Sequence, residues 1–350
     1  MKSRAFHWRG SLLLSLSCSL LPLTAGTVDI NVFATGSVVN ATGPDSISVG
    51  NGSLWAAYTN GAASDGSNGS STIVQYDLNG AVLKTYTIAG SVDGLKINPN
   101  DGKVWALQNQ DASSTLTIID PIAQSTTLLS YAVTSSTRGY DDVVFTRSQT
   151  FLSQTNPALG TDPTIVQLTN STSPLTVTPV LLSGATGTNL ANGSTGPTIQ
   201  TDPDSLKLSP NGTLVLTGET DGALTFVSNP GTGGQSVSFL QLLSGGSNVS
   251  GLDDTAYATS SAGTFFLADT KNNRILRIQA SGLPAGSLYA SLIGLNELAG
   301  VDLATGNVTP LVSGLNAPHG LAFVPAPEPA PSLLLLAGLG ALAILRRWRR

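Results

Sequence analysis

The feature that most constrains the fold of this chain is a short pattern that returns along most of its length. A small or acidic corner precedes an alternating strand, a turn and a second apolar strand, as in GPDSISVGNGSLWAAY from Gly43 and SVDGLKINPNDGKVWAL from Ser91. Further copies begin at Gly139, Asp202 and Gly251, the last being GLDDTAYATSSAGTFFLAD. Such a unit cannot bury both of its faces alone, so its copies must pack against one another. The sequence therefore predicts a repeat protein made of β-sheets.

The spacing of the copies predicts their number. Each copy has an aspartate at its corner, and APHGLAFV places His319 at a sixth equivalent position. These aspartates are Asp45, Asp93, Asp141, Asp204 and Asp253. They are separated by 48, 48, 63 and 49 residues, and His319 follows after a further 66. A period of roughly 40–50 residues with several strands per unit indicates an all-β fold, a β-propeller. Six blades are expected, with seven as the alternative.

A propeller needs a way to close its ring. We expect residues 297–324 to supply most of the sixth blade and VDINVFA from Val28 to add its last strand. A blade built from both chain ends leaves no open sheet edge. Trp55 and Trp105 occupy matching places in two copies and are expected to pack between blades. The Ser/Thr-rich residues 182–201 are expected to form a surface loop.

Two segments of the body resemble a known group of propellers. LADTKNNRILRI, residues 267–278, resembles the core of an NHL-type repeat, and residues 300–324 resemble the closing unit of NHL and gluconolactonase-like six-bladed propellers. Gluconolactonase-type propellers hold a metal with a glutamate near the start of the domain together with Asn and Asp. Here the glutamates of the body are Glu219 and Glu297, and neither begins it. The ligands of that group therefore do not map onto this sequence residue by residue.

Both chain ends have the composition of targeting signals. MKSRAFHWRG is basic, SLLLSLSCSLLPL is apolar and TAG is small, which is the order of a secretory signal peptide over residues 1–25. Residues 325–350 combine a Pro-rich linker, a short apolar run and an arginine cluster, and they resemble the PEP-CTERM sorting tail of Gram-negative bacteria. Each apolar segment is expected to be a helix. The residues that carry the sorting signal are Pro327, Glu328, Pro329, Arg346, Arg347, Arg349 and Arg350.

The resemblance of the tail implies a route to the cell surface. The tail would stay transiently in the inner membrane, where a membrane-embedded exosortase would recognise it. The protein would then be released or attached outside the cell. The alternative is a permanent anchor with a single span. The propeller domain is predicted to fill residues 26–324.

The charge of the body excludes one class of partner. Residues 26–327 hold nine Lys and Arg against 20 Asp and Glu, a net charge of −11. Nucleic-acid binding needs a basic stripe, so no nucleic acid is expected as partner. The body has no cysteine, which excludes a thiol nucleophile, and its one histidine, His319, lies at a repeat corner. That position favours a structural role for His319 over membership of a Ser-His-Asp triad.

The corner aspartates are the candidate site. If each begins an innermost strand, Asp45, Asp93, Asp141, Asp204 and Asp253 gather at one end of the channel. Such a cluster is costly unless a cation or backbone N–H groups compensate it. Two hypotheses follow: the aspartates hold a divalent cation such as calcium, or each caps its local turn by accepting backbone hydrogen bonds. No other cofactor is indicated.

Two functions are compatible with these features. The sequence favours an exported, non-enzymatic propeller that acts as a binding or scaffold module at the cell surface or in an extracellular polysaccharide matrix. Its partner would be a polysaccharide or a surface protein. The alternative is a metal-dependent propeller hydrolase or lactonase.

Overall fold

The computed structural model describes residues 26–327 except 134, 136 and 199. The predictions for the signal peptide and for most of the sorting tail fall outside these residues and stay predictions. Inside them, three single-turn 3-10 helices accompany the strands, at Gly36–Val39, Thr270–Asn272 and Ile293–Leu295. No helix of this described part is long and apolar enough to cross a membrane.

The described chain is a six-bladed β-propeller, which confirms the fold class and the blade count. The chain begins with β1 (Val28–Thr35), which belongs to the last blade. Blade 1 consists of β2 (Pro44–Gly50), β3 (Ser53–Tyr58), β4 (Ser70–Asp77) and β5 (Val82–Ala89). Blade 2 consists of β6 (Val92–Ile97), β7 (Val104–Gln108), β8 (Thr115–Asp120) and β9 (Ser125–Ser130). Blade 3 consists of β10 (Tyr140–Phe145), β11 (Thr150–Gln154), β12 (Pro163–Leu168) and β13 (Val177–Leu182).

Blade 4 is larger than the others. It consists of β14 (Thr186–Asn189), β15 (Thr195–Pro197), β16 (Pro203–Leu208), β17 (Leu214–Gly218), β18 (Ala223–Ser228) and β19 (Ser236–Gln241). The hairpin of β14 and β15 lies in the segment expected to be a loop and extends the sheet through a parallel pair with β19. A small separate hairpin follows, made of β20 (Leu243–Ser244) and β21 (Ser247–Asn248).

The last two blades exchange strands. Blade 5 consists of β22 (Leu252–Ala258), β25 (Ser287–Leu292), β26 (Glu297–Val301) and β27 (Val308–Ser313). Blade 6 consists of β28 (Pro318–Pro325), β23 (Ala262–Asp269), β24 (Arg274–Ser281) and β1. The chain thus leaves blade 5 after its inner strand, builds the middle of blade 6, returns to finish blade 5, and ends as the inner strand of blade 6.

This exchange corrects two expectations from the sequence. The strands β22 and β23 were expected to form a hairpin, but they pair with β25 and β28 in different blades. Residues 297–324 were expected to form most of the sixth blade, but β26 and β27 complete the fifth. In this arrangement the centroid of the Phe265 ring lies 4.9 Å from that of Tyr289 in blade 5 and 4.8 Å from that of Phe323 in blade 6. The link between β22 and β23 has three residues. A link of this length can turn back within one blade or cross to the neighbouring blade, so the repeat pattern is compatible with either connection.

The ring closes through its inner strands and through the core between blades. The inner strands β2, β6, β10, β16, β22 and β28 contact each other in turn, and β28 contacts β2. The described residues form six hydrophobic clusters, one at each interface between neighbouring blades. Trp55 stacks on Tyr86 and packs against blade 2, and Trp105 meets Phe145 of blade 3 edge-on. Both tryptophans are buried between blades, as the repeat pattern predicts.

Closure also ties together the two ends of the propeller. As expected, β1 adds to blade 6, where it pairs with β24 from Val28 to Thr35. The antiparallel order of β1, β24, β23 and β28 places Val28 beside Ala280 and Pro325 beside Gly263. The first and last strands therefore enter and leave the propeller on the same face, opposite the face where the inner strands begin.

Candidate functional site

Each inner strand begins with a β-bulge that turns one side chain toward the axis of the ring. In every blade the pairing of the inner strand with its neighbour is interrupted at the same place, for example between Pro44 and Ile47. A bulge bends a strand and re-aims its side chains. The structure therefore brings the predicted residues together around one mouth of the channel. These residues, the acidic ring, are Asp45, Asp93, Asp141, Asp204, Asp253 and His319.

His319 bridges two carboxylates of the acidic ring. Its Nδ1 lies 2.8 Å from Oδ1 of Asp45 and 2.8 Å from Oδ1 of Asp253. Burial opposes the charged imidazolium, but the two carboxylates prevail and hold the pKa of His319 well above its usual range. Burial raises the pKa of Asp253 to about 6 against the pull of His319, whereas for Asp45 the pull of His319 outweighs burial and lowers the pKa. His319 thus compensates one side of the ring, as a positive group between two negative ones.

Among the described residues, the other three carboxylates have no ion-pair partner. One oxygen from each of Asp93, Asp141 and Asp204 lies within 4.8 Å of the other two. Burial and then the neighbouring carboxylates raise the pKa of all three well above the usual range of an aspartate. Oδ2 of Asp204 is buried and has no hydrogen-bond partner among the described residues. This side of the ring is an uncompensated cluster of oxygen ligands.

A cavity of about 470 Å³ opens above the acidic ring. Its walls add Glu219, Asp202 and Asp111 to the ring residues, together with neutral polar side chains such as Gln110 and Asn156. Burial, with Asp253 next in importance, raises the pKa of Glu219 to about 7. Below the ring a space of about 20 Å³ separates its carboxylates from the next layer of the channel. That volume suffices for one water-sized species.

The next layer of the channel shows the backbone capping that was one of the two hypotheses for the ring. Asp142 accepts hydrogen bonds from the backbone N–H groups of Val143 at 2.8 Å and Leu206 at 3.0 Å. Asp254 likewise accepts from Thr255 and Leu321, each at 2.7 Å. No backbone N–H within the described residues donates to the five ring carboxylates, so the capping hypothesis is wrong for them.

Two lysines complete this second layer. Lys96 Nζ lies 2.9 Å from Asp142, and Lys207 Nζ lies 2.8 Å from Asp254. Each pair joins neighbouring blades, because the lysine and its aspartate come from consecutive inner strands. The sequence analysis missed all four residues as site residues. Their signals were the doubled acids of GYDD and GLDD and the lysine three places after the corner aspartate in DGLK and DSLK.

The arrangement can bind a cation and present charged groups to a polar molecule in the mouth. The ion-pair partners of His319 among the described residues are the carboxylates of Asp45 and Asp253. Its charge and the rim carboxylate of Glu219 face the same cavity.

No family model and no curated protein matches this sequence. Among solved structures, a streptogramin B lyase matches with a TM-score of 0.50 and 14% identity, over 84% of this chain and 91% of that one. The virginiamycin B lyase from Staphylococcus aureus matches with a TM-score of 0.50 and 11% identity, over 86% and 96%. The periplasmic gluconolactonase from Pseudomonas aeruginosa matches with a TM-score of 0.46 and 16% identity, over 81% and 89%. The two lyases share the fold of this chain.

Proposed function

We propose that this protein is a propeller enzyme that needs a divalent cation and acts as a hydrolase or lyase on a small polar substrate at its acidic mouth. The observation that carries this proposal is the uncompensated trio of Asp93, Asp141 and Asp204, with Oδ2 of Asp204 buried and unpartnered. A buried carboxylate is costly without a positive partner or hydrogen-bond donors. The fold shared with the two lyases supports an enzyme rather than the binding module favoured by the sequence alone.

The balance of charges around the channel supports a bound cation. The positive groups close to the acidic ring are already committed: His319 serves Asp45 and Asp253, while Lys96 and Lys207 are paired below the ring. Among the described residues, the charged groups that act on the trio are further carboxylates, such as Asp45 beside Asp93, so part of the trio would have to be protonated. A divalent cation would satisfy the trio while leaving its carboxylates ionised.

The donor set favours a hard cation. The trio offers only carboxylate oxygens, which suit calcium, magnesium or manganese better than softer metals. The oxygens are close enough together for one ion to reach all three, and calcium tolerates the irregular geometry that six unequal blades impose. The residues present therefore fit a divalent cation, with Asp93, Asp141 and Asp204 as its protein ligands.

The remaining groups of the mouth have distinct roles in this proposal. A bound cation would polarise an oxygen of the substrate. His319, held in place by two carboxylates, would stabilise negative charge on the substrate or its leaving group by hydrogen bonding. Glu219 lies on the wall of the same cavity, where a carboxylate can accept or return a proton.

An activity panel with matched variants tests this function. The panel contains lactones, aryl esters and a streptogramin B, each with and without EDTA and added calcium, magnesium, manganese or zinc. We expect turnover of at least one class, lost in EDTA and restored by a cation. Asp204→Asn and His319→Gln should abolish it, and Asp29→Asn, an equal charge change on the exposed strand β1, should not. Turnover that is indifferent to EDTA and to Asp204→Asn would overturn the cation requirement, and no turnover across the panel would favour the binding module.

We propose further that the protein works outside the cytoplasm, sorted through its C-terminal tail. The composition of both chain ends supports this, and so does the exit of both end strands from the face opposite the acidic mouth. A tail held by a membrane or an exosortase would then leave the mouth open to the surroundings. The intact mass of the secreted protein tests the proposal. Loss of residues 1–25 and of the residues after the prolines is expected, and a full-length mass would contradict it.

A further inference from the structure

The mouth of the channel opposite the acidic ring contains a second cavity, of about 270 Å³. Lys96 and Lys207 lie in its floor, three residues along their strands from Asp93 and Asp204. Three residues of extended strand span about 10 Å, so the two cavities are separate. Their linings share no residue.

The cavity forms because three of the inner strands that line it carry small side chains at the same position of the repeat. At the position that Lys96 and Lys207 occupy in blades 2 and 4, the consecutive blades 5, 6 and 1 carry Ala256, Ala322 and Ser48. The three small residues leave open the space into which the lysines face. One residue further along the strands, the wall is apolar. Its members are Val49, Leu208, Tyr257 and Phe323.

The two lysines keep donors for a ligand. An ammonium group has three N–H donors. Within the described residues Lys96 donates to one oxygen of Asp142, Lys207 pairs with both oxygens of Asp254, and the two ammonium groups lie close to each other. Each aspartate also accepts hydrogen bonds from backbone N–H groups, as Asp142 does from Val143. Both lysines are largely buried, with 17% and 15% of their side chains exposed.

A neutral polar group in the same cavity also lacks a partner. Thr255 lines the cavity and is fully buried, and its Oγ1 has no hydrogen-bond partner among the described residues. Buried hydroxyl groups are normally hydrogen-bonded. Burial also lowers the pKa of Lys207, with the nearby charge of Lys96 acting in the same direction, and an anion would relieve this. The cavity therefore has unused donors on its lysines, and an unpartnered hydroxyl group lies in its wall.

We propose that this second cavity binds a small organic carboxylate. Its carboxylate group accepts hydrogen bonds from Lys96 and Lys207, and its apolar body lies against Tyr257 and Phe323. A monoanion fits better than phosphate, because each lysine is already paired with an aspartate and most of the wall is apolar. The volume lies just below the roughly 300–1,000 Å³ typical of drug-sized ligands, so the ligand is small, of the size of benzoate or a short fatty acid.

Titration with benzoate, followed by calorimetry and by ligand-observed NMR, tests this site. We expect millimolar binding, as befits a ligand of few atoms, and no binding of benzamide, which has the same shape without the charge. Ala322→Leu fills the cavity without touching either ion pair and should weaken binding by at least about tenfold. Ala123→Leu, at an exposed position elsewhere, is the control and should not change it.

The outcomes separate this site from the acidic mouth. Binding of benzoate should persist in EDTA and in Asp204→Asn, since neither alters the lysine floor. The proposal is overturned if benzoate does not bind, if benzamide binds equally well, or if Ala322→Leu leaves the affinity unchanged. If Ala322→Leu does not fold, the comparison of benzoate with benzamide on the unaltered protein decides.

Discussion

Nδ1 of His319 lies 2.8 Å from Oδ1 of Asp253, although the two residues are on the inner strands of different blades. These are the blades that exchange strands, so the chain passes through both of them between the two residues. The contact that compensates half of the acidic ring thus depends on the same interlocked blades that close the propeller. The structure of the mouth and the closure of the ring are coupled.

Replacing His319 by glutamine should destabilise the protein, because two buried carboxylates lose their positive partner. Removing one partner of a buried ion pair costs on the order of 3–5 kcal/mol. Urea unfolding at pH 5 and pH 8 measures the effect. We expect a smaller loss at pH 5, where Asp253 takes up a proton, and partial recovery in the double variant with Asp253→Asn. An equal loss at both pH values would show that charge is not the cause.

Without a cation, the free energy of unfolding should fall as the pH rises from about 4 to 7. Burial raises the pKa of Glu219 to about 7 and that of Asp253 to about 6, so the folded state binds more protons than the unfolded state in this range. The raised pKa of His319 acts in the same direction, because its stabilising charge is lost as the pH rises through the folded value. The lowered pKa of Asp45 acts only at pH values below this range.

Urea unfolding in EDTA at several pH values measures this dependence. A decline of several kcal/mol is expected across the range, and added calcium should reduce it by binding the ionised carboxylates. Stability that increases from pH 5 to pH 7 in EDTA would contradict the assignment.

Phe33 should be a main anchor of the closing strand. Its ring packs edge-on against Tyr76 of blade 1 and Phe266 of blade 6, at 5.7 and 5.0 Å between ring centroids. Phe33→Ala should therefore cost about 3–5 kcal/mol in chemical unfolding. Val32→Ala, in the same strand but 52% exposed, should cost less than about 0.5 kcal/mol. Similar costs for both variants would mean that β1 does not fasten the ring through Phe33.

Gly320 permits the close approach of blades 6 and 1 below the acidic ring. A Cβ atom there would collide with the backbone carbonyl oxygen of Asp45. Gly320→Ala should push Asp45 and His319 apart, lower the melting temperature by several degrees and weaken cation binding. Gly233→Ala, where a Cβ meets nothing and φ is not positive, is the matched control and should be neutral. A stable Gly320→Ala variant with unchanged cation binding would argue against a rigid ring.

The acidic ring could be predicted from the sequence because each member stands at the same place in a repeat. The bulge at the start of each inner strand then gives all six side chains the same direction. Repetition thus converts equal sequence positions, such as Asp45 and Asp93, into spatial neighbours.

The exchange of strands and the second layer could not be predicted in the same way. The segments of β22 and β23 have the pattern of a hairpin, whereas the route that the chain takes depends on contacts between distant segments, such as those of Phe265 with Tyr289 and Phe323. Asp142 and Asp254 depart from the repeat, because the residue that follows the corner position is Ser or Gly in the other four blades. Their pairing with lysines of neighbouring blades depends on how the blades pack, which periodicity does not specify.

Calorimetric titration of the EDTA-treated protein with calcium decides whether Asp93, Asp141 and Asp204 form a cation site. We expect saturable binding of one ion per chain and a higher melting temperature, both lost in Asp204→Asn and both retained in Asp29→Asn. No heat and no thermal shift with calcium, magnesium or manganese would contradict it, and so would equal binding by the Asp204→Asn variant.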